Sequence, residues 1–109
     1  MKTIFIYKYT NDFAENKDIA RDLRINKIQP ELDKNGRIKI DFDKVGSATQ
    51  SFVHALISEV IRTYGIQILD NIHFENCNSR VQKIIEIVVE YVQDGIFDND
   101  DNNQPSSNC

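Results

Sequence analysis

The chain has 109 residues, of which 13 are basic and 17 acidic, giving a formal charge of −4, and 40% of its residues are hydrophobic with no Trp, four Gly and two Pro. This is the size and make-up of one ordinary domain, and it excludes two domains, a collagen-like or mucin-like chain and a wholly disordered one. Asp98, Asp100 and Asp101 lie near the end, so residues 1–94 are almost neutral, and Lys and Arg are interspersed with Asp and Glu, which argues against nucleic acid as a partner.

Residues 2–9, Lys-Thr-Ile-Phe-Ile-Tyr-Lys-Tyr, are rich in β-branched and aromatic side chains and predict a strand. A helix should follow, with Asn16 as N-cap, Asp18 in its first turn, Ile19, Ala20 and Leu23 on its apolar face, and an end before Pro30. Asp33-Lys34-Asn35-Gly36 then supplies a turn. Residues 37–42 alternate strictly, which places Ile38, Ile40 and Phe42 on one face of a second strand and Arg37, Lys39 and Asp41 on the other.

The spacing of Val53, Leu56, Ile57, Val60 and Tyr64 predicts a central helix from about Gln50 to Tyr64, ended by Gly65. A short third strand is expected at Ile72 to Glu75. Val81, Ile84, Ile85, Val88 and Val92 predict a last helix from about Ser79 to Gln93, with Ser79 and Gln82 as a capping box and Gly95 as its close. The alternation strand, helix, strand, helix, strand, helix predicts a small α/β domain over residues 1–94. Its sheet should be mixed but mostly parallel, with three to four strands and about three helices. Residues 95–109 lack apolar periodicity and are expected to form an acidic, polar, disordered tail.

No apolar run approaches the roughly 18 residues of a membrane span, and the first residues lack the apolar centre and cleavage site of a secretory signal, so the expected location is cytoplasmic. Cys77 and Cys109 are expected to be reduced, with Cys77 acting as a small buried hydrophobe. Phosphate-loop, nucleophile-elbow, Cys-x-x-Cys and paired-His patterns are missing, so the chain is expected to be no enzyme and to need no cofactor or metal. His54 in the central helix and His73 in the third strand are expected to be structural or surface residues. Asp98, Asp100 and Asn102 have the spacing of the first ligands of an EF-hand loop, but Asn103 and Cys109 stand where the loop Gly and the closing Glu belong.

The informative stretch is Asp41-Phe42-Asp43-Lys44-Val45-Gly46-Ser47-Ala48-Thr49-Gln50-Ser51-Phe52, the passage from the second strand into the central helix. In open α/β sheets ligands and partners meet the carboxyl ends of strands, and a helix start presents free N–H groups there. Ser47, Thr49, Gln50, Ser51, Phe52 and His54 are therefore the candidate partner-binding surface. The hydroxyl and amide side chains among them explain themselves first as helix caps, each worth about 1 kcal/mol if it accepts an N–H bond.

Phe13-Ala-Glu-Asn-Lys-Asp-Ile-Ala-Arg-Asp-Leu, Gly36-Arg-Ile-Lys-Ile-Asp-Phe-Asp-Lys-Val, Ser51-Phe-Val-His-Ala-Leu-Ile, Ile72-His-Phe-Glu-Asn-Cys-Asn and Val81-Gln-Lys-Ile-Ile together resemble a STAS domain. That is the fold shared by anti-sigma-factor antagonists and the cytoplasmic parts of sulfate transporters. Over residues 13–93 the chain is similar in particular to the small bacterial STAS-like domains of unknown function. In the antagonists, an Asp-Ser-Ser-Gly or Asp-Ser-Thr-Gly motif is phosphorylated on its second hydroxyl residue by a kinase of the histidine-kinase-like ATPase type. The resemblance places Ser51 at that hydroxyl, while Thr49 replaces the motif Asp, Gln50 the first Ser and Phe52 the Gly. It implies a regulatory protein-protein interaction domain partnering such an ATPase, with Ser51 as candidate phosphoacceptor. The alternatives are an unmodified structural adaptor in a bacterial defence or stress-response complex and a small-ligand-binding domain.

Overall fold

The structure, a computed structural model, describes residues 1–97. Strand β1 (Lys2–Phe5), β3 (Ile38–Asp41) and β5 (Ile72–Glu75) form a parallel sheet in the order β1-β3-β5, in which Ile4, Ile40 and Phe74 lie side by side. A second, two-stranded parallel pair joins β2 (Phe13–Ala14) to β4 (Ser47–Ala48). Helices α1 (Tyr7–Thr10), α2 (Lys17–Leu23), α3 (Gln29–Asp33), α4 (Gln50–Tyr64) and α5 (Ser79–Phe97) complete the order, with a 3-10 segment, Ile66–Asn71, leading into β5. The small α/β domain is as expected, with an all-parallel sheet and two more short helices than the periodicity indicated. Among the described residues, no helix is long and apolar enough to cross a membrane.

The apolar alternation of the strands gives one sheet face made of Ile4, Ile38, Ile40 and Ile72, and these share a core with Leu23, Val53, Leu56, Ile57, Val60, Val81, Ile85 and Val88. The stripes expected on the two long helices are buried, apart from Tyr64 and Ile84, which are half-buried against the core. Asp41, expected on the polar face of β3, is buried, and its carboxylate is satisfied by the Asp43 N–H at 2.8 Å and by the Asn76 amide at 3.0 and 3.1 Å.

Three boundaries differ from expectation for identifiable reasons. The first strand stops at Phe5, opposite Asp41, because β3 ends there and offers nothing further to pair with. Ile6 still donates to the Asp41 carbonyl at 2.9 Å and then turns helical, starting α1. The first helix, α2, ends at Leu23, before Pro30 as expected, but the backbone stays helical beyond it. A single π turn, Arg24–Ile28, closed by the Gln29 N–H on the Arg24 carbonyl, widens the backbone just ahead of the proline. Pro30 then sits in the first turn of α3, where its missing N–H costs nothing.

The cap of α5 is Asn78 rather than Ser79: the Asn78 Oδ1 accepts the Val81 N–H at 2.9 Å while its Nδ2 donates to the Gly46 carbonyl at 2.8 Å, so one amide both caps the helix and ties it to the loop. Gly95 does not close that helix, which continues to Phe97. Of the tail expected from residue 95 onward, the part from Asp98, including the aspartates with EF-hand spacing and Cys109, lies outside the described residues.

Thr49 is the N-cap of α4, its Oγ1 accepting the Phe52 N–H at 3.1 Å. Gly65, with φ at +89°, ends the helix in a conformation that a side chain would strain. Phe52 is fully buried, which removes it from the expected partner surface: it lies one turn before Leu56 on the core face of α4. Phe52→Ala should therefore lower stability in urea unfolding by about 3–5 kcal/mol, Thr49→Ala by about 1 kcal/mol, and Ser51→Ala by no more than about 0.5 kcal/mol.

Candidate functional site

The route from β3 to α4 is held along its length by backbone bonds. The Phe42 N–H donates to the Glu75 carbonyl at 2.9 Å, and the ring of Phe42 is buried. The Gly46 and Ser47 N–H groups both donate to the Asp12 carbonyl, at 2.7 and 3.2 Å. Ser47–Ala48 pairs with Phe13–Ala14, and the Thr49 N–H ends the pairing on the Ala14 carbonyl at 3.0 Å. From the other side, the Asn78 amide donates to the Val45 and Gly46 carbonyls, at 3.3 and 2.8 Å. These bonds bring the chain to Thr49 in one orientation, so α4 begins with Gln50 and Ser51 facing outward and Phe52 facing inward.

Gln50, Ser51 and half-buried His54 line an open groove of about 460 Å³ between α4 and α5. Lys17, the first residue of α2, stands at one edge, and Ile87 and Tyr91 of α5 form the opposite wall. Three of the six residues expected at a partner surface thus converge. Ser47 and Thr49 are half-buried and set the backbone path instead, so the capping account holds for Thr49 and the exposed-face account for Ser51. Lys17, Ile87 and Tyr91 escaped the sequence reading. Ile87 and Tyr91 carry a signal in retrospect, since they lie four residues apart on the side of α5 away from its buried stripe.

His54 is held by its neighbours. Its Nδ1 lies 3.4 Å from the Ser58 Oγ, and its ring centre lies 6.3 Å from that of Tyr91 at an interplanar angle of 58°. Burial, aided by the nearby Arg62 guanidinium and opposed by Glu59, pushes its pKa below the usual 6.5. The imidazole is therefore neutral near pH 7. Ser51 and His54 line the same groove, and among the described residues no hydrogen bond joins them. What the groove offers is a hydroxyl, an amide and an ammonium beside an apolar wall.

Cys77 follows β5, half-buried against the core, and burial together with the Asp41 and Glu75 carboxylates pushes its thiol pKa up, away from the reactive thiolate. Among the described residues no three His, Cys, Asp or Glu side chains are gathered in a way that would hold a metal ion.

Because the folded His54 binds its proton less readily than the unfolded one, its effect on stability is absent well above pH 6.5 and grows as a penalty while pH falls below that value. An NMR titration of the His54 ring should give a midpoint below 6.5, and replacing it by Gln should flatten the fall in thermal stability on acidification.

The family model describing a STAS-like domain of unknown function matches residues 20–82. Searches of curated proteins and of solved structures give no significant match. The matched span takes in Gln50, Ser51 and His54 and leaves out Lys17, Ile87 and Tyr91. It covers more than half of the sequence and the whole path from β3 into α4, and on that ground the chain belongs to the family of STAS-like domains of unknown function.

Proposed function

We propose that the domain is a non-enzymatic regulatory module that binds another protein through the outward side of α4, with Ser51 as the residue where a phosphoryl group switches the contact. The observation that carries this reading is the opposite placement of two neighbours: Ser51 is exposed in the first turn of α4, while Phe52 is fully buried. In the antagonist motif a glycine follows the acceptor and leaves room for the kinase. Here the phenyl ring points into the core, so it leaves the approach to the hydroxyl open.

The electrostatics agree with such a switch. A phosphoryl group adds about 1.5 to 2 negative charges, and at Ser51 these would sit within the positively polarised first turn of a 15-residue helix. The Lys17 ammonium at the edge of the same groove adds to that tolerance. The fold would accept the modification while the face presented to a partner changes sign. By family resemblance the partner is a histidine-kinase-like ATPase, which would also supply the phosphoryl group.

Mixing the protein with such an ATPase and magnesium-ATP should yield phosphate on Ser51 in peptide mass spectrometry. Ser51→Asp should weaken binding about tenfold, a change of about 1.4 kcal/mol, while Ser51→Ala binds as the parent does. Unchanged binding by Ser51→Asp, with no phosphate found, would reduce the domain to an unmodified adaptor. Binding that ignores a bulky Ser51→Trp replacement would remove the partner from this face altogether.

A further inference from the structure

The groove lies across three helices, and the charges along its two flanks are of opposite sign. On α2 and the turn after it, Lys17, Arg21 and Arg24 recur at i, i+4 and i+7 and form a basic stripe, with Asp18 beside Arg21 at 3.4 Å as the one acidic interruption that pairs with it. On α5, Glu86, Glu90 and Asp94 recur at i, i+4 and i+8 and form an exposed acidic stripe, preceded by Lys83. Between the stripes lie Ser51 and His54 of α4 and the apolar side chains of Ile87 and Tyr91, which are 38% and 67% exposed.

The three helices run in the same sense along this face. Lys17 lines the groove with Ser51, and further along both helices, two turns on in α2 and its continuation and one in α4, the Arg24 Nε donates to the Ala55 carbonyl at 3.2 Å. Ile87 shares the groove with Ser51, and Tyr91 stacks near His54 one turn later. A surface with a basic flank, an apolar centre and an acidic flank has one simple complement, which is itself. A two-fold axis running along the groove lays the basic stripe of one copy on the acidic stripe of the other and brings both copies of Ile87 and Tyr91 to the middle.

We infer that a second copy of this chain docks on the α2-α4-α5 face, forming a two-fold dimer in which Lys17 and Arg21 of each copy face Glu86 and Glu90 of the other. This rests on the reading of the face as an interaction surface and adds a form of regulation: the dimer covers Ser51, so a partner or kinase competes with self-association. Dimer and partner complex are then exclusive states, and the concentration of the chain itself tunes access to the hydroxyl.

The test uses two variants. Lys17→Glu with Arg21→Glu makes both flanks acidic, and Glu86→Lys with Glu90→Lys makes both basic. By sedimentation velocity, the parent chain should dimerise as concentration rises and dissociate when salt is raised to about 0.5 M, where the screening length falls to a few ångströms. Each variant alone should remain monomeric, and an equimolar mixture of the two should form a heterodimer, which also shows that both are folded. A parent chain that stays monomeric up to about 1 mM, where binding is worth only about 4 kcal/mol, overturns the inference. So does a dimer that survives either reversal unchanged. These measurements contain no partner and leave Ser51 unaltered, so their failure leaves the Ser51 reading standing, and a parent chain that acquires no phosphate on Ser51 leaves the sedimentation result standing.

Discussion

The structure depends on how the backbone is held between the end of β3 and the start of α4. Three sets of polar contacts converge on that short span: the Asp41 carboxylate on Asp43 and Asn76, the Asp12 carbonyl on Gly46 and Ser47, and the Asn78 amide on Val45 and Gly46. Their combined effect is rotational. A helix turns by about 100° per residue, so a slip of a single position at Thr49 would swing Phe52 toward water and Ser51 toward the core. The burial of Phe52 and the polar clamps choose the same phase, one through the apolar effect and the other through satisfied hydrogen bonds.

Asn78 gives that corner a link to the rest of the face. It caps α5 and holds the loop ahead of α4 with the same side chain, so the two helices that form the groove begin from a common fixed point. Their parallel packing then brings Ser51 alongside Ile87 and His54 alongside Tyr91. The lowered pKa of His54 follows from that arrangement, since its ring is partly enclosed between helices and feels the charge of Arg62. The groove therefore keeps its charge on its edges, and its centre is free of a fixed charge that would have to be desolvated when another surface covers it.

The long elements were legible because their signals are redundant. Each of α4 and α5 repeats its apolar stripe over several turns, and the alternation in Ile38, Ile40 and Phe42 leaves one choice of face. What escaped was decided by single tertiary contacts. The two-residue strands Phe13–Ala14 and Ser47–Ala48 exist only because each finds the other, and no window that short carries a period. The helical path from Leu23 through Pro30 rests on a π turn, Arg24–Ile28, that no apolar period announces. Phe52 is the instructive miss at the site: grouped with its polar neighbours it looks like part of a surface, yet its spacing to Leu56 and Val60 already places it on the core stripe. Lys17 and Tyr91 belong to helices far apart in sequence, so only the packing of α2 and α5 around α4 brings them to Ser51.

The boundaries of the family match divide the groove in a way that bears on specificity. The start of α4 and its hydroxyl fall inside the matched span, whereas Lys17, Ile87, Tyr91 and the acidic residues of α5 fall outside it. Specificity is a difference between affinities, and it is most economically set by residues that touch the partner without holding the fold. The flanking side chains meet that condition: they are exposed, they lie on the outer sides of α2 and α5, and altering them leaves the clamps at Thr49 and Asn78 intact. Gln50 and Ser51 meet it less well, because they are fixed in the turn whose cap and phase the core requires. Under the proposed reading, the matched corner presents the hydroxyl, and Lys17 with the acidic side of α5, outside the match, are the positions where a change would alter what docks there without disturbing the fold.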